Sequence, residues 1–529
     1  MNASRFHLLL SSGRTWLERH GHTLMIVGTV VFAVFFSLLG ILNHWGLRTQ
    51  LNDLGHIEQA LWSLTRGDFA MSVSDPTFES RLVMHSNIIL YLVAPIYAIF
   101  PFSETLLILS AVAGAAAGYL LYRLSRELLK NEALAVMLGL ALLLNPWVQS
   151  LVLYDFHVDV LALPLLMLVL LFVEKRQPVA FCVSIVLLLT VKEDMPLLVF
   201  FLSIFIWRRW SFQMAFGAAV MALTYWIVLE GGTRMLLGTT LGAHTFSRFK
   251  EFGDTPSEAI LYLVTHPWVA VLEILTPKKL IYLVMTFLQG GYLAILSPIF
   301  ALAAIPNIAQ NVLDATNFQS NITFVYYSGI VIAVLYAGTA YSLQKRHGRL
   351  APIVVAGLIF FPIQSIVFSY LLSPAPYSER MTWADYSALT DPTAVQRMIE
   401  KIPTEAGVFT QNNLGAHLSR RKAVVQKLKY IDHADYAIFS ARVPHPRLVP
   451  LFFANTGMRI GSSMTNYSAL VQSFFDNPAF GVLDYNPDQA LYLFKRGEPR
   501  DRNAAALEAF KIDAAKMKFA ADGVNEALR

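Results

Sequence analysis

The chain is organised as a series of apolar runs separated by short polar links. The runs lie at about 23–42, 104–122, 132–146, 158–173, 177–191, 195–207, 211–229, 280–290, 292–306, 325–343 and 350–371. A helix needs roughly 17–25 residues to cross the hydrocarbon core, and several runs are shorter. The pattern predicts a mainly α-helical, polytopic membrane protein with about eleven spans. Alternatively, the two apolar runs that meet at Gly290 and Gly291 form a re-entrant hairpin.

The N-terminal run imitates a signal peptide, because Arg5, Arg14 and Arg19 precede it. It exceeds the roughly 7–15 residues of a signal h-region, and no A-x-A-like cleavage site follows. We therefore expect a retained first span preceded by a cytoplasmic N-terminus at 1–22.

Basic residues in the links orient the predicted spans. They concentrate at Arg123/Arg126/Lys130, Lys175/Arg176, Arg208/Arg209 and Lys345/Arg346/Arg349. With a cytoplasmic N-terminus all these links fall on the cytoplasmic side, as the positive-inside rule requires. The sequence thus predicts an inner (plasma) membrane protein with a membrane domain at 23–373. Outer loops at 44–103 and 230–279 belong to it, and an extracytoplasmic domain follows at 374–529.

Composition supports a membrane protein over a soluble one. The 529 residues are 55% hydrophobic and 15% charged, with mean hydropathy +0.51, whereas soluble domains carry about 25% charged residues. The basic residues behind the net charge of +5 lie in the links between apolar runs. Their placement indicates membrane topology, and no nucleic-acid partner is expected. The single Cys182 allows neither an internal disulfide nor a CxxC site.

The first outer loop contains two predicted helices. Leu54, Ile57, Leu61 and Leu64 recur at helical spacing while polar residues take the other faces, which predicts an amphipathic helix suited to the membrane interface and capped by Asn52 or Asp53. A second apolar stretch, 88–100, is expected to form an interfacial or half-inserted helix.

Polar clusters interrupt the apolar runs at two further outer positions, 154–159 and 192–194. Ionisable residues that border spans mark functional sites by default, although a solvated turn at Lys192 is the simpler alternative. After Pro374 the long apolar runs stop, and short strand-like pieces at 407–410, 436–439 and 491–494 alternate with helical stretches at 393–401 and 464–475. This alternation predicts a small α/β domain in which Asn412 to Arg420 follow the carboxyl end of the first strand.

These motifs resemble the prokaryotic membrane family of domain of unknown function 2079. The resemblance rests on Asp53-Leu-Gly with Gln59-Ala-Leu-Trp62, on Pro-Ile-Tyr-Ala-Ile-Phe-Pro101, on Asp155-Phe156-His157, on Lys192-Glu193-Asp194 and on Asn412-Asn-Leu-Gly-Ala-His417-Leu-Ser-Arg420. The family's His-Phe-Ser-Pro is reduced here to His85-Ser-Asn, and its later His-Tyr reads Val325-Tyr326-Tyr327.

The family is similar in layout to the GT-C glycosyltransferases, which implies a polyprenyl-phosphate sugar donor and an acidic general base in the first outer loop. Asp53 holds the matching position, and Glu58, one helical turn on, is a second catalytic candidate that would assist Asp53 or bind the acceptor. Transfer from a lipid phosphate needs a carboxylate that takes the acceptor proton and cations that offset charge on the leaving phosphate. The remaining expected substrate-binding residues are His85, Asp155, His157, Lys192, Glu193, Asp194, Arg248, Arg380, Asn412, His417 and Arg420.

No organic cofactor is expected. A divalent cation stays an open alternative, with His85, Asp155 and His157 as its candidate ligands. Expected partners are the lipid-linked donor, membrane lipids and an acceptor that is a glycan, a lipid or a protein. Two other hypotheses stay open: a transporter or flippase for a lipid-linked or polar substrate, and a non-catalytic membrane scaffold. No internal repeat of the kind found in many transporters is evident.

Overall fold

The structure is a computed structural model that describes residues 3–74, 80–238, 247–254, 256–315, 317, 319–322, 326–345, 351–388, 390–442 and 460–527. Val325 of the Val-Tyr-Tyr motif, and Arg346 and Arg349 of the last basic link, lie outside the described residues. The chain is mainly helical and divides into two compact units. We call Met1–Leu38, Leu82–Leu90 and Leu107–Arg380 the helical unit, and Leu39–Arg81, Tyr91–Leu106 and Met381–Arg529 the sheet unit.

Helices occupy the predicted apolar runs. Up to residue 380 they are Ala3–Trp45, His56–Leu64, Arg81–Met84, Leu90–Ile99, Ser103–Leu129, Glu132–Leu143, Pro146–Leu153, Asp159–Lys175, Pro178–Leu189, Met195–Arg209, Phe212–Leu237, Pro256–Thr265, Pro267–Ile274, Pro277–Gly290, Pro298–Leu313, Gly329–Gln344 and Ala351–Leu372. Several begin with proline, which costs no hydrogen bond in the first turn of a helix.

Within the described residues, four helices are long and apolar enough to cross a membrane: Thr15–Trp45, Ser103–Leu129, Phe212–Met235 and Val354–Leu372. A fifth span results if Glu132–Leu143 and Pro146–Leu153, bent by 47°, are counted together. The bend follows from Asn145-Pro146, because the Asn145 side chain accepts from Trp147 and Val148 N–H and starts a new helix. The count of about eleven spans remains a prediction, since the other apolar helices are shorter.

Glycines permit close packing in the helical unit. A Cβ on Gly118 would lie 2.5 Å from Leu143 Cδ2 and 3.2 Å from Gly139 O. This agrees with the packing role expected for small residues in apolar helices. Gly291 takes φ 107° and ends the helix Pro277–Gly290, and the chain continues as a 3₁₀ turn, Tyr292–Leu296.

The sheet unit contains a five-stranded sheet in the order β2-β1-β3-β5-β4. The strands are β1 Val408–Thr410, β2 Val424–Val425, β3 Tyr436–Ser440, β4 Phe480–Asn486 and β5 Leu491–Arg496. β1 pairs in parallel with β2 and β3, while β5 runs antiparallel to β3 and β4. The accompanying helices are Pro392–Ile399, Asn412–Gly415, Ile460–Asp476 and Asn503–Ala527. β1, β3 and β5 were predicted, and β2 and β4 were not.

Hydrophobic clusters stabilise the sheet unit. Phe409, Phe439, Phe474 and Phe494 pack in one of them. In another, Leu47 and Leu51 from the first loop pack with Val408, Leu414 and Leu491. The first loop and the C-terminal sheet therefore share a hydrophobic core.

Candidate functional site

Asp53 lies in an unusual turn of the sheet unit. Residues Leu51–Gly55 form a single π-helical turn, in which Gly55 N–H donates to Gln50 O at 3.0 Å. Asp53 is half-buried in this turn. Single π-helical turns are frequently found at functional sites. The expected cap by Asn52 or Asp53 is wrong: Gly55 is the N-cap of His56–Leu64, and that helix has no side-chain cap.

Glu58 is almost completely buried, with 1% of its surface exposed. Its Oε2 accepts from Ser103 Oγ at 2.6 Å and Ser419 Oγ at 2.5 Å, and its Oε1 accepts from Tyr97 Oη at 3.0 Å. Burial raises the pKa of Glu58 above 4.5, against the lowering effect of these hydroxyls and of Arg420. The polar face expected at the membrane interface is instead a buried hydrogen-bonding face.

The segment Asn412–Arg420 follows β1, as predicted, and supplies polar groups to this region. Asn412 Oδ1 accepts from Asn52 N–H at 3.1 Å, and Asn412 Nδ2 donates to Gln50 Oε1 at 2.9 Å. Arg420, half-exposed, has its Nε 3.9 Å from Glu58 Oε1 and donates from Nη1 to Pro101 O at 2.8 Å. The sheet unit therefore gathers Asp53, Glu58, Asn412 and Arg420.

His417 stacks on the His44 ring with centroids 4.0 Å apart. Burial lowers the pKa of His417 to about 4, so the imidazole is uncharged at neutral pH. Its Nε2 is buried and has no hydrogen-bond partner among the described residues. His417 thus offers a ligand a hydrogen bond and no positive charge.

The helical unit gathers a second set of predicted residues. His85 Nδ1 lies 2.7 Å from Glu193 Oε1, and Ser86 N–H donates to Glu193 Oε2 at 3.1 Å. Burial opposes ionisation of Glu193, but His85 and Lys192 lower its pKa to about 2. Two motifs far apart in sequence therefore meet as an imidazole–carboxylate pair.

Lys192 and Asp194 are also engaged within this set. Lys192 Nζ, buried, lies 3.0 Å from Asp159 Oδ1, and Asn307 Nδ2 donates to Asp194 Oδ2 at 3.1 Å. A buried, paired lysine contradicts the alternative of a solvated turn at Lys192, because an exposed turn would leave its ammonium in water.

Aromatic rings border the same set. His157 stacks on Tyr326 at 4.2 Å, Tyr326 Oη donates to Tyr327 Oη at 2.6 Å, and Arg248 Nη1 donates to Tyr327 Oη at 3.2 Å. Asp155 is buried and takes φ 52°, a conformation that Asp adopts more readily than most residues. Arg380 Nη1 donates at 3.1 Å to the carbonyl oxygen of Leu372, the last residue of the helix Ala351–Leu372. Arg380 therefore caps the C-terminus of that helix.

Some of these partners escaped sequence reasoning. Tyr97 lies within the quoted Pro-Ile-Tyr motif, and Tyr326 and Tyr327 were noted only for the missing histidine. Ser103, Ser419 and Gln50 carried no local signal. Among the described residues, no group of three or more His, Cys, Asp or Glu side chains is arranged to hold a metal ion.

Apolar helices long enough to span a bilayer, together with a small C-terminal sheet, define a helical membrane protein. Residues 43–451 match the family described as predicted membrane protein (DUF2079), and the chain belongs to that family. No curated protein matches the sequence.

Proposed function

We propose that the protein is a membrane glycosyltransferase of GT-C-like layout that transfers a sugar from a polyprenyl-phosphate donor to an acceptor. Asp53 is the general base, and the reaction takes place on the outer face of the inner membrane. About eleven spans, a cytoplasmic N-terminus and an extracytoplasmic C-terminal domain belong to the same proposal.

The observation that carries the proposal is the set of ionisable residues that the sheet unit contains. Two carboxylates of the first loop, Asp53 and Glu58, lie in the same compact unit as the half-exposed cation Arg420. Glu58 is occupied by three hydroxyl donors, whereas Asp53 is partly exposed. Asp53 is therefore the better placed of the two to take a proton from an acceptor hydroxyl. Arg420 supplies positive charge for a leaving phosphate.

A second candidate function is transport of a lipid-linked or polar substrate. The ion pair of buried Lys192 with Asp159, beside the His85–Glu193 pair, favours it, because ionisable groups in or at the ends of membrane helices often line substrate or proton pathways.

One experiment separates the two functions. Purified protein in liposomes would be given a panel of radiolabelled polyprenyl-phosphate sugars, and both sugar release and movement of label across the bilayer would be measured. Release of sugar from one donor supports the transferase. Movement of intact label without release supports the transporter and refutes the transferase.

A further inference from the structure

The π-helical turn that carries Asp53 is held by a side chain from the far end of the sequence. Asn412 Oδ1 accepts the Asn52 backbone N–H at 3.1 Å, one residue before Asp53. Its Nδ2 donates to Oε1 of Gln50, the N-cap residue directly before the turn, at 2.9 Å. The Asn412 side-chain amide therefore makes two hydrogen bonds at the start of the turn.

Asn412 is itself fixed by its surroundings. Gln426 Nε2 donates to Asn412 Oδ1 at 3.2 Å, and Gln426 directly follows β2. Asn412 begins the short helix Asn412–Gly415, which directly follows β1 and Gln411. The amide is thus anchored to the sheet, which is a rigid element compared with a loop.

Close backbone packing reinforces the same contact. A Cβ on Gly55 would lie 3.3 Å from Ala416 Cα, and a Cβ on Gly415 would lie 2.9 Å from Leu51 Cβ. Glycine at both positions lets the turn and the segment approach closely. In the helix His56–Leu64, which follows the turn, Gln59 Nε2 donates to Arg421 O at 2.6 Å.

We propose that Asn412 is a positioning residue that fixes the π-helical turn and thereby the orientation of the Asp53 carboxylate. The C-terminal domain then contributes to catalysis by holding the base as well as through Arg420. The catalytic part of this inference rests on the proposed function, but the mechanical part does not.

Hydrogen exchange tests the mechanical part without any substrate. In the purified full-length chain, Asn412→Ala should speed exchange of the amides of 51–56 by about fivefold, as expected for one lost net hydrogen bond. Asn412→Asp should stay near wild type, because it keeps the acceptor for Asn52 N–H and the Gln50 amide can flip to donate to it. Asn486→Ala is the matched control, since Asn486 Oδ1 also accepts a backbone N–H, from Gln489. Unchanged exchange in Asn412→Ala overturns the proposal.

Kinetics then test the catalytic part. Because small displacements of a catalytic group can cost about a hundredfold in rate, Asn412→Ala should lower kcat by roughly tenfold to a hundredfold while KM for the donor stays within about twofold. Asn412→Asp should restore most of kcat. A rise in KM with unchanged kcat would overturn positioning and make Asn412 a substrate ligand. If wild type turns over no donor, the proposed function fails, and the exchange result alone decides whether Asn412 holds the turn.

Discussion

Glu58→Gln removes a titrating group while keeping the shape of a buried side chain. In wild type, Glu58 accepts hydrogen bonds from Tyr97, Ser103 and Ser419. The glutamine amide can still bond to these hydroxyls, because each hydroxyl both donates and accepts. Since burial raises the pKa of Glu58 above 4.5, the folded protein binds its proton more tightly than the unfolded chain does.

The sign of the pH effect follows from linkage. A group with a raised folded pKa contributes its stability fully below the unfolded pKa, and that contribution is lost as pH rises through the folded pKa. Each pKa unit of elevation is worth about 1.4 kcal/mol. That corresponds to roughly 3–6 °C in the melting temperature of a domain of about 150–250 residues. Glu58→Gln should therefore gain stability relative to wild type as pH rises from about 4.5 towards neutral.

The assay is the melting temperature of the purified full-length protein in detergent across that pH range. Glu405→Gln is the matched control, because Glu405 is exposed in the same unit, and its difference from wild type should stay flat. A Glu58→Gln difference that is flat, or that falls with increasing pH, would refute the assignment of a buried carboxyl with a raised pKa.

Three further outcomes are expected. Lys192→Met leaves the partly buried Asp159 without its ammonium partner and should destabilise the protein by about 3–5 kcal/mol; adding Asp159→Asn should recover most of this in thermal melts, and no recovery would contradict the pairing. Gly118→Val overpacks a helix contact and should cost about 1–3 kcal/mol, whereas Gly217→Val, which meets open space, should cost much less; equal losses would contradict the packing argument. Arg420→Gln should raise KM for the phosphate donor by roughly tenfold or more in steady-state kinetics, and an unchanged KM would remove Arg420 from the donor site.

Hydrophobic patterning predicted the helices well because an apolar run of sufficient length has few other stable arrangements in a membrane. It predicted β1, β3 and β5, which are apolar, and it placed Asn412 after β1. It missed β2, which has two residues, and β4, whose Asp484 and Asn486 resemble a turn.

Sequence motifs identified residues that the fold brings together within each unit, but not the contacts between those residues. Glu58 was identified as a neighbour of Asp53, yet its three hydroxyl partners come from two other segments, and only folding brings them together. The π turn also lay beyond sequence reasoning, because an i+5 hydrogen bond leaves no distinct pattern of apolar residues. The cap prediction failed for the same reason: the turn starts at Leu51, before the expected cap.

The most direct test of the proposed function is a single-turnover measurement of sugar release from the preferred polyprenyl-phosphate donor. Wild type would be compared with Asp53→Asn and with Asp432→Asn, whose aspartate is exposed in the same unit. A general base typically contributes about a hundredfold or more to the rate. We predict at least that loss in Asp53→Asn and none in Asp432→Asn. Sugar release at the wild-type rate in Asp53→Asn would contradict the assignment of Asp53 as the base.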